Sequence, residues 1–267
     1  MSLTYQLQRI AREYGFVQRK RLSQSFLIDE GVLAREAEYA SPEGKLVLEV
    51  GPGFGFLTRK LSEAGARKII AVEKDARLIP ILKKELSDCS NVELIHGDFL
   101  EGAYEAEVVV SNVPYSISSP FLFKFAGMRF EHAILCLQKE FVERMLAQPG
   151  AKEYSRLSVT AQTCFRIRLI EIVPRTAFYP PPKVDSAIIE LRPTGKKVED
   201  DVGRLILLLF QHKKKTVRAA LADAAEELGI SKENARKIAE ELGFADRRIF
   251  TLSRDDFSHI AHILKNQ

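Results

Sequence analysis

Leu46-Val-Leu-Glu-Val-Gly-Pro-Gly-Phe-Gly55 is the stretch on which the fold turns. Leu46 to Val50 has the length and apolar character of a short buried strand. Gly51 to Gly55 is a glycine-rich turn, and Leu57 to Ala64 follows with helical character until Gly65 stops it. Glycine lets a backbone turn sharply and come close to a ligand. Lys68 to Glu73 is a second strand, and Glu73 stands 22 positions after Gly51. A carboxylate at that place in a nucleotide-binding α/β fold accepts hydrogen bonds from ribose hydroxyls.

The pattern continues outward. Leu78 to Leu86 reads as a helix, Val92 to Ile95 as a third strand, Val108 to Val110 as a fourth and Ala133 to Leu137 as a fifth, with a helix from Lys139. Strands alternating with helices argue for a doubly wound, mostly parallel sheet. Thr163 to Val173 and Ser186 to Leu191 are β-rich with no helical stretch between them, which predicts an antiparallel pair at the sheet edge. After Pro193 the pattern turns helical. Val202 to Leu228 reads as one helix stopped by Gly229, Glu233 to Leu242 as another stopped by Gly243, and Ser253 to Asp256 as a capping box before Phe257 to Leu264. Leu252 and Phe257 hold staple positions around that cap. The expected division is therefore a nucleotide-binding domain over residues 1–194 and a small helical domain over 195–267.

With 267 residues and 46% hydrophobic content the chain can bury a substantial core. It has no run of 18 apolar residues and no apolar leader between Met1 and Phe16, so neither a membrane span nor a secretory signal is expected. Three scattered cysteines, Cys89, Cys136 and Cys164, give neither a disulfide framework nor a zinc site and fit a cytoplasmic setting. The net charge of +4 and pI near 8.9 permit a nucleic-acid partner without requiring one. Arg9, Arg12, Arg19, Lys20 and Arg21 cluster in the basic N-terminal segment, residues 1–25, and Lys213, Lys214, Lys215 and Arg218 near the back. Such clusters neutralise phosphates, although a solvated helix face has the same composition.

The glycine loop with Glu73 also suits a nicotinamide dehydrogenase. Two details favour S-adenosylmethionine. The spacing is GxGxG with proline in second place, and Gly97-Asp98 follows the third strand, where a carboxylate can accept from an adenine amino group. Ribose and base are then held with no pyrophosphate needed. Gly51 and Gly53 of the loop, Glu73 and Asp98 are the candidate cofactor contacts.

Ser111-Asn-Val-Pro-Tyr115 ends the fourth strand, and ligands of doubly wound sheets bind at the carboxyl ends of strands. An exocyclic adenine amine is a poor nucleophile because its lone pair is delocalised into the ring. It gains positive charge as it attacks a methyl group, so acceptors aimed at its N–H groups stabilise the change. The Asn112 side-chain oxygen can be one acceptor and a backbone carbonyl near Val113 or Pro114 the other. Pro114 stiffens the loop, and Tyr115 offers an aromatic face to an extruded base.

These segments resemble the small-subunit rRNA adenine N6-dimethyltransferase family. The resemblance runs from Ser23 to about Pro193 through Ser23-Gln-Ser-Phe-Leu27, the glycine loop, Ala71-Val-Glu73, Gly97-Asp98 and Asn112-Val-Pro-Tyr115. It continues through Leu137-Gln-Lys-Glu140, Tyr154-Ser-Arg-Leu-Ser158 and Phe178-Tyr-Pro-Pro-Pro-Lys-Val-Asp-Ser186. It implies a Rossmann-like class I methyltransferase sheet and S-adenosylmethionine as methyl donor. The product would be dimethylated adenines, two adjacent ones near the 3′ end of small-subunit rRNA. By position it implies that Gln24, Ser25 and Leu27 line the cofactor site with Gly51, Glu73, Asp98 and Asn112. Phe178 would give a second face for the flipped adenine. It further implies that the basic front and the helical domain grip RNA, that the partner is the small ribosomal subunit or its precursor, and that the enzyme works as a monomer in subunit biogenesis. Two positions depart from the family pattern. Ser23-Gln24-Ser25 stands for Gly-Gln-Asn, which shortens the reach at Ser25, and Val113 stands for a commoner leucine.

Three other readings differ in testable ways. A large-subunit rRNA adenine methyltransferase would label the other subunit, and the Phe178 to Ser186 segment argues against it. A non-catalytic assembly factor would not bind S-adenosylmethionine, and the intact Asn112 motif argues against it. A dehydrogenase would need a proton-relay histidine, and neither His96 nor His132 is placed for one.

Overall fold

The computed structural model describes residues 2–19 and 24–265; Lys20, Arg21 and Ser23, named above, lie outside the described residues. The chain forms two compact units. One comprises Met1–Val142 with Arg166–Pro193, the other Glu143–Phe165 with Thr194–Gln267.

In chain order the elements up to the linker are α1 (Leu3–Glu13), β1 (Phe26–Leu27), α2 (Glu30–Ala40), β2 (Leu46–Val50), α3 (Phe56–Glu63), β3 (Lys68–Glu73), α4 (Ile79–Glu85) and β4 (Val92–His96). Then come β5 (Val108–Asn112), α5 (Ser118–Phe125), β6 (His132–Gln138), α6 (Lys139–Leu146), α7 (Arg156–Cys164), β7 (Phe165–Val173), β8 (Phe178–Tyr179) and β9 (Ser186–Pro193). Seven strands make one sheet in the order β4-β3-β2-β5-β6-β9-β7. β2 pairs in parallel with β3 on one side and β5 on the other, so the chain order reverses at β2. That reversal opens a crevice at the strand ends, the usual ligand position of such sheets. β9 runs antiparallel to β6, with Leu135 opposite Ile189, and β7 is the outer strand. A separate antiparallel pair joins β1 to β8, with Leu27 opposite Phe178.

β5 and β6 are apolar over consecutive residues and buried throughout most of their length. Helices on both faces explain why they do not alternate. α1 buries Leu3, Leu7 and Ile10 and leaves Arg9 and Arg12 exposed, so much of the basic front is one face of an amphipathic helix. No helix of the described residues is long and apolar enough to cross a membrane.

The second unit adds α8 (Asp200–Gln211), α9 (Val217–Asp223), α10 (Ala225–Leu228), α11 (Lys232–Glu241) and α12 (Arg254–Lys265). Its core gathers Leu205, Leu209, Leu221, Ile238, Phe257 and Ile260. The expected capping box is present with aspartate in the acidic place: Asp256 N–H donates to Ser253 Oγ at 3.2 Å, and Ser253 N–H to Asp256 Oδ2 at 2.7 Å. Three expectations are corrected. Residues 143–165 belong with the helical unit, not with the sheet, because Tyr154 and Val159 lie in its core and the Tyr154 hydroxyl donates to Leu252 O at 2.9 Å. Thr163 and Cys164 end a helix rather than open a strand. The long helix expected over Val202 to Leu228 is three. Its break falls at residues 212–216, where Thr216 caps α9 and bridges to Arg248, and Lys213 Nζ donates to the carbonyls of Lys152 and Tyr154.

Candidate active site

The glycine loop starts where β2 ends. Gly51 (φ 74°) and Gly53 (φ 59°) both take the left-handed conformation that glycine adopts without strain. At Gly53 there is also no room for a side chain, since a Cβ would meet the Phe26 ring at 2.8 Å. Phe54 anchors the turn. It is buried edge-on against Phe26 (centroids 4.7 Å apart) and Phe16 (5.3 Å). Ser111 Oγ donates to Val50 O at 2.7 Å and joins the end of β5 to the start of the glycine loop.

Every residue proposed from sequence for the site lines one cavity of about 350 Å³: Gln24, Ser25, Leu27, Gly51, Gly53, Glu73, Asp98, Asn112, Pro114, Tyr115 and Phe178. Glu73 ends β3, buried, with Oε1 accepting from Asp75 N–H at 2.7 Å and Oε2 from Gly53 N–H at 3.3 Å. Burial pushes its carboxyl up to about 7, against the pull of those backbone donors. Asp98 accepts from Leu100 N–H at 2.9 Å and pairs with Lys74. Burial would raise its pKa, but Lys74 and the Leu100 amide outweigh it, and the carboxyl lies below its ordinary value.

The Asn112 loop is held tightly. Val113 N–H donates to Cys136 O at 3.1 Å, and the Pro114 carbonyl accepts from Ile117 N–H at 3.0 Å in a turn of 3-10 helix, Tyr115–Ile117. The Tyr115 hydroxyl meets Ser186 Oγ at 2.6 Å, which fixes the ring. Burial raises the Tyr115 phenol to about 12, so it stays neutral. Asn112 Nδ2 donates to Glu36 Oε2 at 3.2 Å, while Asn112 Oδ1 is buried with no partner among the described residues. Phe178 is buried on β8.

Two expected contacts are partly occupied within the protein. Ser25 Oγ donates to Pro180 O. Gln24 accepts from Arg19 N–H and donates to Asp75 Oδ2, both at 2.8 Å. Sequence reading passed over three acidic groups here. Glu49 on β2 lines the cavity, buried, and burial pushes it up to about 8. Asp75 also lines it and is held down at about 2, where Arg77 and Gln24 outweigh burial. Glu36 backs Asn112 from α2. Glu49 sits inside the quoted glycine motif and was open to notice; Glu36 carried no signal.

Residues 15–265 match the family described as ribosomal RNA adenine dimethylase. A protein of Thermococcus onnurineus named "Probable ribosomal RNA small subunit methyltransferase A" is 44% identical over 259 residues, covering 95% of this chain and 94% of its own. A protein of the same name from Methanopyrus kandleri is 44% identical over 238 residues, covering 86% and 85%. Among solved structures, a dimethyladenosine transferase from Plasmodium falciparum superposes with a TM-score of 0.80 at 31% identity, covering 90% of this chain and 98% of the other. The 23S rRNA methyltransferase ErmE superposes with a TM-score of 0.65 at 28% identity, covering 90% and 99%. With the glycine loop, the Asn112 loop and the reversed strand β9 in place around one cavity, the chain belongs to the ribosomal RNA adenine dimethylase family.

Proposed function

We propose that this protein dimethylates the N6 amines of two adjacent adenines near the 3′ end of small-subunit rRNA, with S-adenosylmethionine as methyl donor. The observation that carries the reading is the unpartnered, buried oxygen of Asn112 at the end of β5, in a family of adenine dimethylases. An acceptor left free in a buried place is costly unless a ligand donor completes it.

The residues fit the cofactor. Glu73 is a buried carboxyl facing the cavity with its orientation fixed by two backbone amides, suited to a ribose diol. Gly51 and Gly53 leave backbone without side chains beside it, and Gln24, Ser25, Leu27 and Asp98 close the remaining walls. Bound S-adenosylmethionine supplies an electrophilic methyl group. The chain's part is to present the amine. Asn112 Oδ1 accepts one N–H of the adenine amine. The Val113 carbonyl is the better-available second acceptor, because Pro114's already serves Ile117. Tyr115 and Phe178 sandwich the base. Both acceptors stabilise the charge that grows on nitrogen, and the proton leaves after transfer. After one methylation a single N–H remains, and one acceptor still suffices for the second.

RNA would be held by Arg9 and Arg12 on α1 and by the cluster around Lys214 and Arg218. Part of that cluster is engaged internally, as Lys213 serves two carbonyls and Arg218 pairs with Glu240 at 2.8 Å. On this reading it acts on small-subunit precursors as a monomer, in a cytoplasm whose reducing setting suits its three free thiols. Incubating unmodified small and large subunits separately with the cofactor and mapping methyl groups by mass tests the reading. Two adjacent adenines of small-subunit RNA should each gain two methyl groups. Label confined to large-subunit RNA refutes the choice of substrate.

A further inference from the structure

Glu36 is a carboxyl at a position that packing alone would give to an apolar residue. It lies in the middle of α2 with 0% of its surface exposed, among Val32, Leu33, Ala37 and Ala40, which bury the same helix against the sheet. It has no ion pair among the described residues. Burial above all pushes it up to about 8, and its acidic neighbours Glu49 on β2 and Glu171 on β7 add to the shift. A buried carboxyl without an ion pair carries a desolvation penalty, so a side chain of this kind calls for a compensating role.

Its one hydrogen bond names the role. Oε2 accepts from Asn112 Nδ2 at 3.2 Å, and Oε1 is buried without a partner. An asparagine amide has nearly the same shape in its two orientations, with oxygen and nitrogen exchanged. Packing does not choose between them; a hydrogen-bond partner does. An ionised carboxylate can only accept, and a neutral carboxyl with its proton on Oε1 still accepts through Oε2; in both states Oε2 draws the nitrogen end. The oxygen end then faces away from Glu36 and has no partner of its own. In the reverse orientation the amide would aim two donors at the donors of a substrate amine.

We infer that Glu36 is a positioning residue for methyl transfer: from α2 it turns the Asn112 amide so that its oxygen, not its nitrogen, meets the adenine amine. The inference rests on the reading of Asn112 as the acceptor for that amine. It places one determinant of base presentation 76 positions before the motif, on a helix that reaches the cavity through Leu33 while Glu36 itself stands behind Asn112.

Glu36→Leu and Glu36→Gln, each alone and with Asn112→Ala, test it. Leucine should lower kcat at least tenfold while KM for the subunit and affinity for S-adenosylhomocysteine stay within threefold. Glutamine keeps an acceptor and should recover kcat to within threefold of wild type. On the Asn112→Ala background, leucine should cost less than a further twofold. In protein labelled with 15N-asparagine, the Asn112 side-chain amide pair, identified by its loss in Asn112→Ala, should exchange with water at least tenfold faster in Glu36→Leu than in wild type. Glu36→Met, unbranched like glutamate, carries the same expectations if leucine fails to fold. If the apolar variants keep kcat within twofold while Asn112→Ala is impaired, the inference fails and the reading of Asn112 stands. If Asn112→Ala itself keeps full kcat, that reading fails first.

Discussion

Replacing Glu49 by glutamine should stabilise the protein at alkaline pH and leave it unchanged in acid. Glu49 is buried at the end of β2 with Oε2 unpartnered. In the fold it binds its proton up to about pH 8, because burial disfavours the charge and Glu73 repels it; its ordinary value is 4.5. Between those values the folded state holds a proton that the unfolded chain has lost, so stability falls as pH rises. The contribution is complete below 4.5 and is lost as pH passes 8. At about 1.4 kcal/mol for each tenfold change in proton affinity, the interval has a ceiling of about 5 kcal/mol. Relaxation and water entry around a new charge reduce this to about half. Glutamine has the same shape and no proton to lose. Urea unfolding at pH 5, 6.5, 8 and 9 should give equal stabilities for the two proteins at pH 5 and an advantage of about 2 kcal/mol or more for Glu49→Gln at pH 9. His132, whose pKa burial lowers, acts in the opposite sense below pH 6.5, but it is common to both proteins and cancels. A stability difference that is constant across the series refutes the reasoning.

Asn112→Ala should lower kcat at least tenfold with S-adenosylhomocysteine affinity within threefold, read by single-turnover kinetics and calorimetry; equal losses in both would make Asn112 a cofactor ligand first. Gly53→Ala forces a left-handed alanine, about 1–2 kcal/mol, and overlap with the Phe26 ring, about 1–3 kcal/mol more. Its urea midpoint should fall accordingly, and cofactor affinity at least tenfold. Ser186→Ala removes the partner of the Tyr115 hydroxyl and should raise KM for the subunit more than it lowers kcat, at a stability cost of about 1 kcal/mol in the same urea assay.

The sheet was legible because its centre is written in consecutive apolar runs. Leu46–Val50 and Val108–Asn112 each carry such a run, and each ends at a motif. The cavity lining was legible for the same reason: loops at strand ends converge whatever their details. α7 was not, because Leu157, Ser158, Val159, Thr160, Ala161, Thr163 and Cys164 are all buried. A helix covered on nearly every side has no polar face to give its period away, and Val159, Thr160 and Thr163 are β-branched. The break between α8 and α9 was hidden because no glycine or proline marks it. It is made by distant partners, Arg248 opposite Thr216 and the carbonyls that receive Lys213. Glu36 was illegible because a glutamate between Arg35 and Ala37 in a helix reads as a solvent-facing residue. Only the packed structure shows that it faces inward.

The direction of β9 has a consequence for how the site is assembled. Parallel strands deliver their last residues to the functional edge, as β2, β3 and β5 deliver the glycine loop, Glu73 and Asn112. A strand running the other way delivers its first. β9 therefore brings Ser186 to Tyr115 at the moment the chain enters the sheet, and the segment just before it, from Phe178, arrives at the same edge. The cavity is walled by chain that is leaving the sheet on one side and chain that is returning to it on the other. Tyr115, on chain leaving β5, and Phe178, on chain returning toward β9, thus belong to opposite traffic. The length of the returning loop can vary without shifting the strands that carry the glycine turn.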